Sequence, residues 1–294
     1  CPYKCTFCNS PDQTTLYNKE TDSRFFRKKD LKLVYKELKH FKENYGVEYN
    51  YFWADTFLSW NDREFDEFCE MYADIRLPFW MQTRPETITE YKMKRLAEVG
   101  LHRISFGLEH GNEGFRKKLL KREWKNDAIL EALKIPVRHG IPFSVNNITG
   151  FPTETRELAM DTIELNRHIE SHNQNLYSFV PFHGTPLRKL CEEMGLVTPD
   201  TITKALTDKP MLAQKQYSPE EIEGLQKCFV YYVKMPKDRW KDIEKAEANT
   251  PEGQKIFDEL KQEYTEKYLT PSPFFTNDES HNSADLEYGI EHTS

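Results

Sequence analysis

The feature that most narrows the possible folds is a regular alternation of short apolar runs with helical repeats between residues 30 and 180. Leu31, Leu33, Val34, Leu38 and Phe41 recur at helical spacing and Gly46 is a plausible stop, so residues 30–45 are expected to form a helix. A strand is expected over 47–53, then helix 62–75, strand 79–83, helix 90–99 ended by Gly100, and strand 103–108. The pattern continues with helix 126–139 closed by Gly140, strand 142–148, helix 154–169 and strand 175–180. Strands separated by helices of this length build right-handed strand-helix-strand units around a parallel sheet, so an α/β barrel or open sheet is expected. In such folds ligands sit at the carboxyl ends of the strands. The unusual residues fall there: Trp53-Ala54-Asp55, Thr83-Arg84-Pro85, Gly107-Leu108-Glu109, Gly150-Phe151-Pro152 and Pro181-Phe182-His183-Gly184.

Beyond Leu190 the pattern becomes helical over 219–233 and 239–268, with no clear strands. The expected organisation is a barrel over 1–190, a helical region over 191–269 and a flexible tail over 270–294, where Pro, Ser, Asn and Asp accumulate. A chain of 294 residues can hold one large domain with such an appendage. The net charge of −7 argues against a general nucleic-acid surface, and Arg116-Lys117-Lys118 reads as a solvated helix face. No apolar run approaches the ~18 residues of a membrane span, and no signal peptide is visible. The expectation is a cytoplasmic protein that acts on a small molecule rather than on nucleic acid or membrane.

Three of the six cysteines crowd into Cys1-Pro2-Tyr3-Lys4-Cys5-Thr6-Phe7-Cys8, while Cys69, Cys191 and Cys228 are scattered among helical segments and read as core thiols. The CxxxCxxC spacing places three thiolates on one loop, enough for three irons of a cubane cluster, and leaves the fourth iron open. A zinc site would need a second Cys or His pair, and none occurs at zinc spacing downstream; Asn9 is no substitute.

With the aromatic Phe7 just before its last cysteine, this motif resembles the signature of the radical S-adenosylmethionine (radical SAM) superfamily. The resemblance covers residues 1–190. It implies that Cys1, Cys5 and Cys8 hold a 4Fe-4S cluster whose open iron is chelated by SAM, and that reductive cleavage of SAM yields a 5′-deoxyadenosyl radical that abstracts hydrogen from substrate. Asp55 resembles the position that holds SAM's amino group, although Trp53-Ala54-Asp55 departs from the Gly-Gly-Glu often found there. Glu109, within Gly107-Leu108-Glu109-His110-Gly111, resembles the acid that approaches the ribose and methionine of SAM. Arg122 matches the basic residue that pairs with SAM's carboxylate. Asn146 and the Gly150-Phe151-Pro152-Thr153-Glu154-Thr155 turn resemble the ribose- and adenine-facing motif, and part of that turn can also start a helix. Phe7, Asp55, Glu109, Arg122, Asn146 and Gly150 are thus the cofactor-binding candidates.

In the superfamily the cysteine loop follows a first strand for which this sequence has no residues. The expected architecture is therefore a partial (β/α)6 barrel lacking that strand, part of a longer protein, with an exposed sheet edge. The segment from Pro181 to Leu187 resembles members carrying an upstream cobalamin-binding domain, in which His183 either faces substrate or is a buried hydrogen-bonded residue. That implies cobalamin as a further cofactor, a methyl transfer, and an electron donor such as flavodoxin or ferredoxin. Methylthiotransferase-like and anaerobic porphyrin-oxidase-like enzymes are the alternatives, and a noncatalytic iron-sulfur or zinc binding module is the non-enzyme one.

Overall fold

The computed structural model describes residues 1–205 and 208–269. The expected tail over 270–294 lies outside the described residues. Strands β1 (Asn50–Phe52), β2 (Phe79–Thr83), β3 (Leu101–Glu109), β4 (Phe143–Thr149) and β5 (Asn173–Ser178) form one sheet in chain order, every pair parallel. Around it run α1 (Ser10–Glu20), α2 (Leu31–Tyr45), α3 (Asp62–Ile75), α4 (Glu90–Val99), α5 (Glu113–Leu120), α6 (Asn126–Arg138), α7 (Arg156–Asn166) and α8 (Pro186–Glu193). They are followed by α9 (Pro219–Lys234), α10 (Trp240–Glu247) and α11 (Pro251–Lys267). The α/β partial barrel expected from the alternation is the observed architecture.

The helix limits follow from local chemistry. Asp30 accepts a hydrogen bond from the Lys32 amide at 2.7 Å to open α2, and Gly46 closes it at φ 64°, where a side chain would be strained. Asn61 and Glu64 form a reciprocal capping box at α3. The helix expected over 239–268 is instead two. Thr250 caps α11, Pro251 follows it, and a Cβ on Gly253 would stand 2.2 Å from the Ala248 carbonyl, so the chain turns sharply between α10 and α11. The strand expected over 47–53 is shortened to β1, and α1 and α8 are additional helices. On α5, Arg116 is not on the solvated face expected of Arg116-Lys117-Lys118 but buried, donating to the His110 and Trp124 carbonyls.

The sheet has two unlike faces because side chains alternate along a strand. Phe79, Met81, Ile104, Phe106, Phe143 and Val145 share the main core with Phe65, Phe68, Tyr72 and Ile75 of α3 and with Met93 and Leu96 of α4. Truncating a ring such as Phe68 to alanine costs about 3–5 kcal/mol in a core of this kind. The opposite face is polar and aromatic. Trp80 Nε1 donates to Ser105 Oγ at 3.1 Å, Ser105 bonds Ser144 at 2.8 Å, and Asn175 donates to Asn146 at 3.0 Å. The helices after the barrel are not detached from it: Ile222, Leu225, Cys228 and Phe229 of α9 share a second core with Ala159 and Ile163 of α7, and Leu176 of β5 packs against it.

Candidate active site

The cysteine loop is pinned at the strand ends by backbone bonds. Cys8 N donates to Cys5 O at 3.3 Å, Thr6 N to Leu120 O of α5 at 3.5 Å, and Leu187 N of α8 to Thr6 O at 3.2 Å. The Phe7 ring meets Phe151 edge-on at 6.1 Å and packs into a third core with Phe179, Leu187 and Leu212. The ring therefore anchors the loop from below. All three loop cysteines are free thiols and partly accessible, and Cys1 Sγ lies 3.4 Å from Thr56 Oγ1. Burial pushes the Cys5 thiol above its ordinary range, and the opposing charges of Arg122 and Arg84 do not outweigh it. Asp55 stands at the end of β1, exposed, accepting from Ser10 Oγ at 3.1 Å.

Glu109 ends β3 in a left-handed conformation, φ 74°, that is unusual for a residue with a side chain. Conformations of this kind cost on the order of 1–3 kcal/mol and persist where surrounding contacts over-determine them. Here Arg122 Nη1 donates to Glu109 Oε1 at 2.6 Å and its Nη2 to Gly107 O at 2.7 Å. A Cβ on Gly107 would stand 2.4 Å from Glu109 Oε1, so a larger residue there would push the carboxylate from this position. Burial raises the Glu109 carboxyl above its ordinary range in spite of Arg122.

A second acid joins this pair to the cysteine loop. Glu86 Oε1 accepts from Arg84 Nη2, and Glu86 Oε2 stands 3.7 Å from Arg122 Nη2. Burial pushes the Glu86 carboxyl up, but the Arg84 hydrogen bond and the charges of Arg122 and Arg84 outweigh it and hold it below the usual range. Arg84 in turn lies 3.7 Å over the Tyr3 ring and donates from Nη1 to Cys5 Sγ at 3.4 Å. Two buried atoms here, Arg84 Nε and Glu86 Oε2, have no hydrogen-bond partner. An unmade buried bond costs about 1–3 kcal/mol, and such orphans are tolerated at sites that a ligand completes.

The end of β4 is built as rigidly. In sheet register Gly107, Asn146 and Asn175 lie side by side. Gly150 turns the chain at φ 82° against Ile222, and Gln214, from the segment after the barrel, accepts from Thr153 N and donates to Phe151 O, both at 2.9 Å. Beneath the turn His110 Nε2 and Glu154 Oε1 meet at 3.1 Å, both side chains fully buried. Glu154 also accepts from Phe151 N at 2.9 Å, while His110 Nδ1 accepts from Asn112 N at 3.0 Å, which assigns the His110 proton to Nε2.

Residues 1–165, more than half of the chain, match the model of the radical SAM superfamily. The chain belongs to the radical SAM superfamily. Members are enzymes that use a 4Fe-4S cluster and SAM. An uncharacterized methyltransferase of Pyrococcus horikoshii is 26% identical over 245 residues, 83% of this chain and 51% of its own length. The present chain thus spans about half the length of that relative. Two radical SAM structures share the fold. The methyltransferase TsrM from Kitasatospora setae, with tryptophan and a SAM analog bound, has a TM-score of 0.55 at 16% identity, covering 73% of this chain and 41% of TsrM. The cobalamin-dependent enzyme OxsB, with aqua-cobalamin and SAM bound, has a TM-score of 0.55 at 13% identity, covering 89% and 44% respectively.

The donor set fits the family's cluster. Among the described residues no three His, Cys, Asp or Glu side chains converge to hold a single ion, and those of a cubane need not, because each thiolate takes a different iron. Contacts with Thr56, Arg84 and Glu109 gather Cys1, Cys5 and Arg122 at the carboxyl ends of β1, β2 and β3, with Cys8 on the same loop and Asp55 just after β1. His183 is exposed, which is not the buried alternative considered from the sequence. Sequence reasoning did not single out Tyr3, Glu86 or Gln214. The Thr83-Arg84-Pro85 strand end pointed to the region of Glu86, one residue short. A cavity of about 740 Å³ opens beside the loop between β1 and residues 25–34, with Cys1, Asp55, Trp53 and Trp60 in its wall.

Proposed function

We propose that this chain is the SAM-cleaving barrel of a cobalamin-dependent radical SAM methyltransferase with a small-molecule substrate. The observation that carries the reading is the continuous chain of contacts from Cys5 through Arg84 and Glu86 to Arg122 and Glu109, which joins the cluster loop to the acid at the end of β3. When bound, cluster and SAM supply one-electron cleavage of SAM, chemistry that belongs to the cofactors. The protein's own residues hold and orient them. Cys1, Cys5 and Cys8 would hold the cluster as its thiolate ligands. Asp55 is suited to SAM's ammonium group as a charge-assisted acceptor. Glu109, locked by Arg122, presents its carboxylate to the ribose and methionine part, and Arg122 balances SAM's carboxylate. Asn146 and the Gly150 turn border the nucleoside.

The methyl-transfer and cobalamin part of the reading is supported by the Pyrococcus horikoshii methyltransferase and by the OxsB fold, read together with the Pro181–Leu187 segment. Anaerobic reconstitution of the intact protein with iron, sulfide and cobalamin tests it. The expected result is a 4Fe-4S spectrum that is lost in Cys5→Ala, together with stoichiometric cobalt. Full iron content and an unchanged visible spectrum in Cys5→Ala would remove the cluster assignment. Absence of cobalt would remove the cobalamin part alone.

A further inference from the structure

We propose that Arg84 sets the reduction potential of the cluster by donating to Cys5 Sγ, from a guanidinium that Glu86 and Tyr3 hold in place. The inference rests on the cluster-binding reading above. Reduction adds negative charge to the cluster and its thiolates, so a cationic N–H donor on a ligand sulfur stabilises the reduced form more than the oxidised one and raises the potential.

Three contacts fix the group. Nη1 points at Cys5 Sγ at 3.4 Å, Nη2 is taken by Glu86, and the guanidinium plane lies 3.7 Å from the Tyr3 ring. Tyr3 stands between two of the ligating cysteines, so the loop that carries the thiol also clasps the cation that serves it. The Arg84 backbone is equally constrained: its carbonyl accepts from Thr87 Oγ1 at 2.7 Å and from Thr87 N at 3.0 Å, and Pro85 follows. A short, braced backbone and a stacked, buried guanidinium restrict the N–H direction, as an effect on potential requires. Arg122 is the other nearby cation, and it is committed elsewhere, to Glu109 and the Gly107 carbonyl. Glu86 spans the two arginines: the charge of Arg122 also acts on Cys5, but its N–H donors are held by Glu109 and Gly107, so the N–H aimed at the sulfur is that of Arg84.

Glu86 thus acts through Arg84 as a positioning residue. A lysine at 84 would keep the charge but lose both the stacking plane and the paired donors that reach sulfur and carboxylate together.

The test is an EPR-monitored redox titration of the anaerobically reconstituted intact protein, with dithionite as reductant and iron content measured in parallel. In Arg84→Gln the iron content should match the parent while the midpoint moves to lower potential. A tenfold fall in the ratio of reduced to oxidised cluster at fixed potential corresponds to about 59 mV for one electron. Glu86→Gln loosens Arg84 but also removes a negative charge near Cys5, so its midpoint should stay above that of Arg84→Gln, and Arg84→Lys should recover part of the loss. A midpoint in Arg84→Gln that equals the parent's, at equal iron, overturns the proposal. If Arg84→Gln takes up no iron, Arg84→Lys decides, and a midpoint there equal to the parent's overturns it. A parent protein that takes up no cluster would instead sink the reading on which this one rests.

Discussion

The Arg122 guanidinium stands 2.6 Å from Glu109 Oε1 while its other terminal nitrogen, Nη2, holds the Gly107 carbonyl at 2.7 Å, so one side chain fixes both the acid and the backbone that carries it. Glu109 accepts this hold at φ 74°, where a residue other than glycine is strained.

Two outcomes are expected from this pair. Glu109→Ala and Arg122→Ala should each weaken SAM binding by roughly 10- to 150-fold, the worth of about 1.5–3 kcal/mol for a charge-assisted bond, measured by titration into cluster-loaded protein. Glu109→Gly should be more stable than Glu109→Ala by about 1–2 kcal/mol, because glycine relieves the left-handed strain. Equal denaturation midpoints for the two variants would contradict the strain argument.

Glu86 predicts the sign of one acid-limb effect. Its carboxyl is held below the ordinary range in the folded protein, so its contribution to stability is complete above the unfolded pKa of ~4.3 and is lost as pH falls through the folded value. The stability gap between the parent and Glu86→Gln should therefore be widest near neutrality and shrink on acidification. Thermal melts across that range measure it, and a gap that widens at low pH would refute it.

The buried His110–Glu154 contact should matter more to folding than any surface ion pair. Glu154→Ala strands the His110 Nε2 proton and the Phe151 amide together in a dry interior, at a cost of about 1–3 kcal/mol for each unpaired donor. Glu154→Gln keeps an acceptor and should lose less. Chemical denaturation ranks the variants, and an Ala variant as stable as the Gln variant would dismiss the role.

The six thiols should separate cleanly by reactivity. Burial pushes Cys69, Cys191 and Cys228 up to about 12. At pH 8 they carry about a thousandfold less thiolate than an ordinary cysteine with a pKa near 9, before access is considered. Iodoacetamide on the native, cluster-free protein should modify Cys1, Cys5 and Cys8 first, as read by peptide mass spectrometry. Early labelling of Cys228 would contradict its place in the α9 core.

The alternation of elements and the cysteine motif were legible in the sequence because both are local signals: a period of two or 3.6 residues, or three thiols within eight positions. Gly46 and Gly100 marked helix ends for the same reason. The contacts that organise the site were not legible, since they join distant positions. Glu86 acquires meaning only beside Arg122, and Gln214 only beside Gly150 and Phe151. Arg122 was found by its resemblance to a family position, yet its bond to the Gly107 carbonyl needed the fold. The break between α10 and α11 did carry a local signal, since apolar periodicity lapses over residues 247–255 and Thr250-Pro251 is a helix start, while the Gly253 contact with Ala248 that sets the turn needed the fold.

Each strand of the sheet pairs with the strands immediately before and after it in the chain, from β1 to β5. On a nascent chain emerging at about 5–20 residues per second, β2, β3, β4 and β5 would therefore each find a pairing strand already made, and β1 would wait for β2. Such an order keeps the sequence separation of pairing strands short for a parallel sheet, where long loop closures otherwise slow folding. The last template to be completed is β5, and α9 then seals its outer surface through Leu176. Polypeptide released before Pro219 would leave Ala159 and Ile163 of α7 and Leu176 of β5 uncovered and open to other chains, which makes synthesis of α9 the point at which the nascent protein ceases to be adhesive.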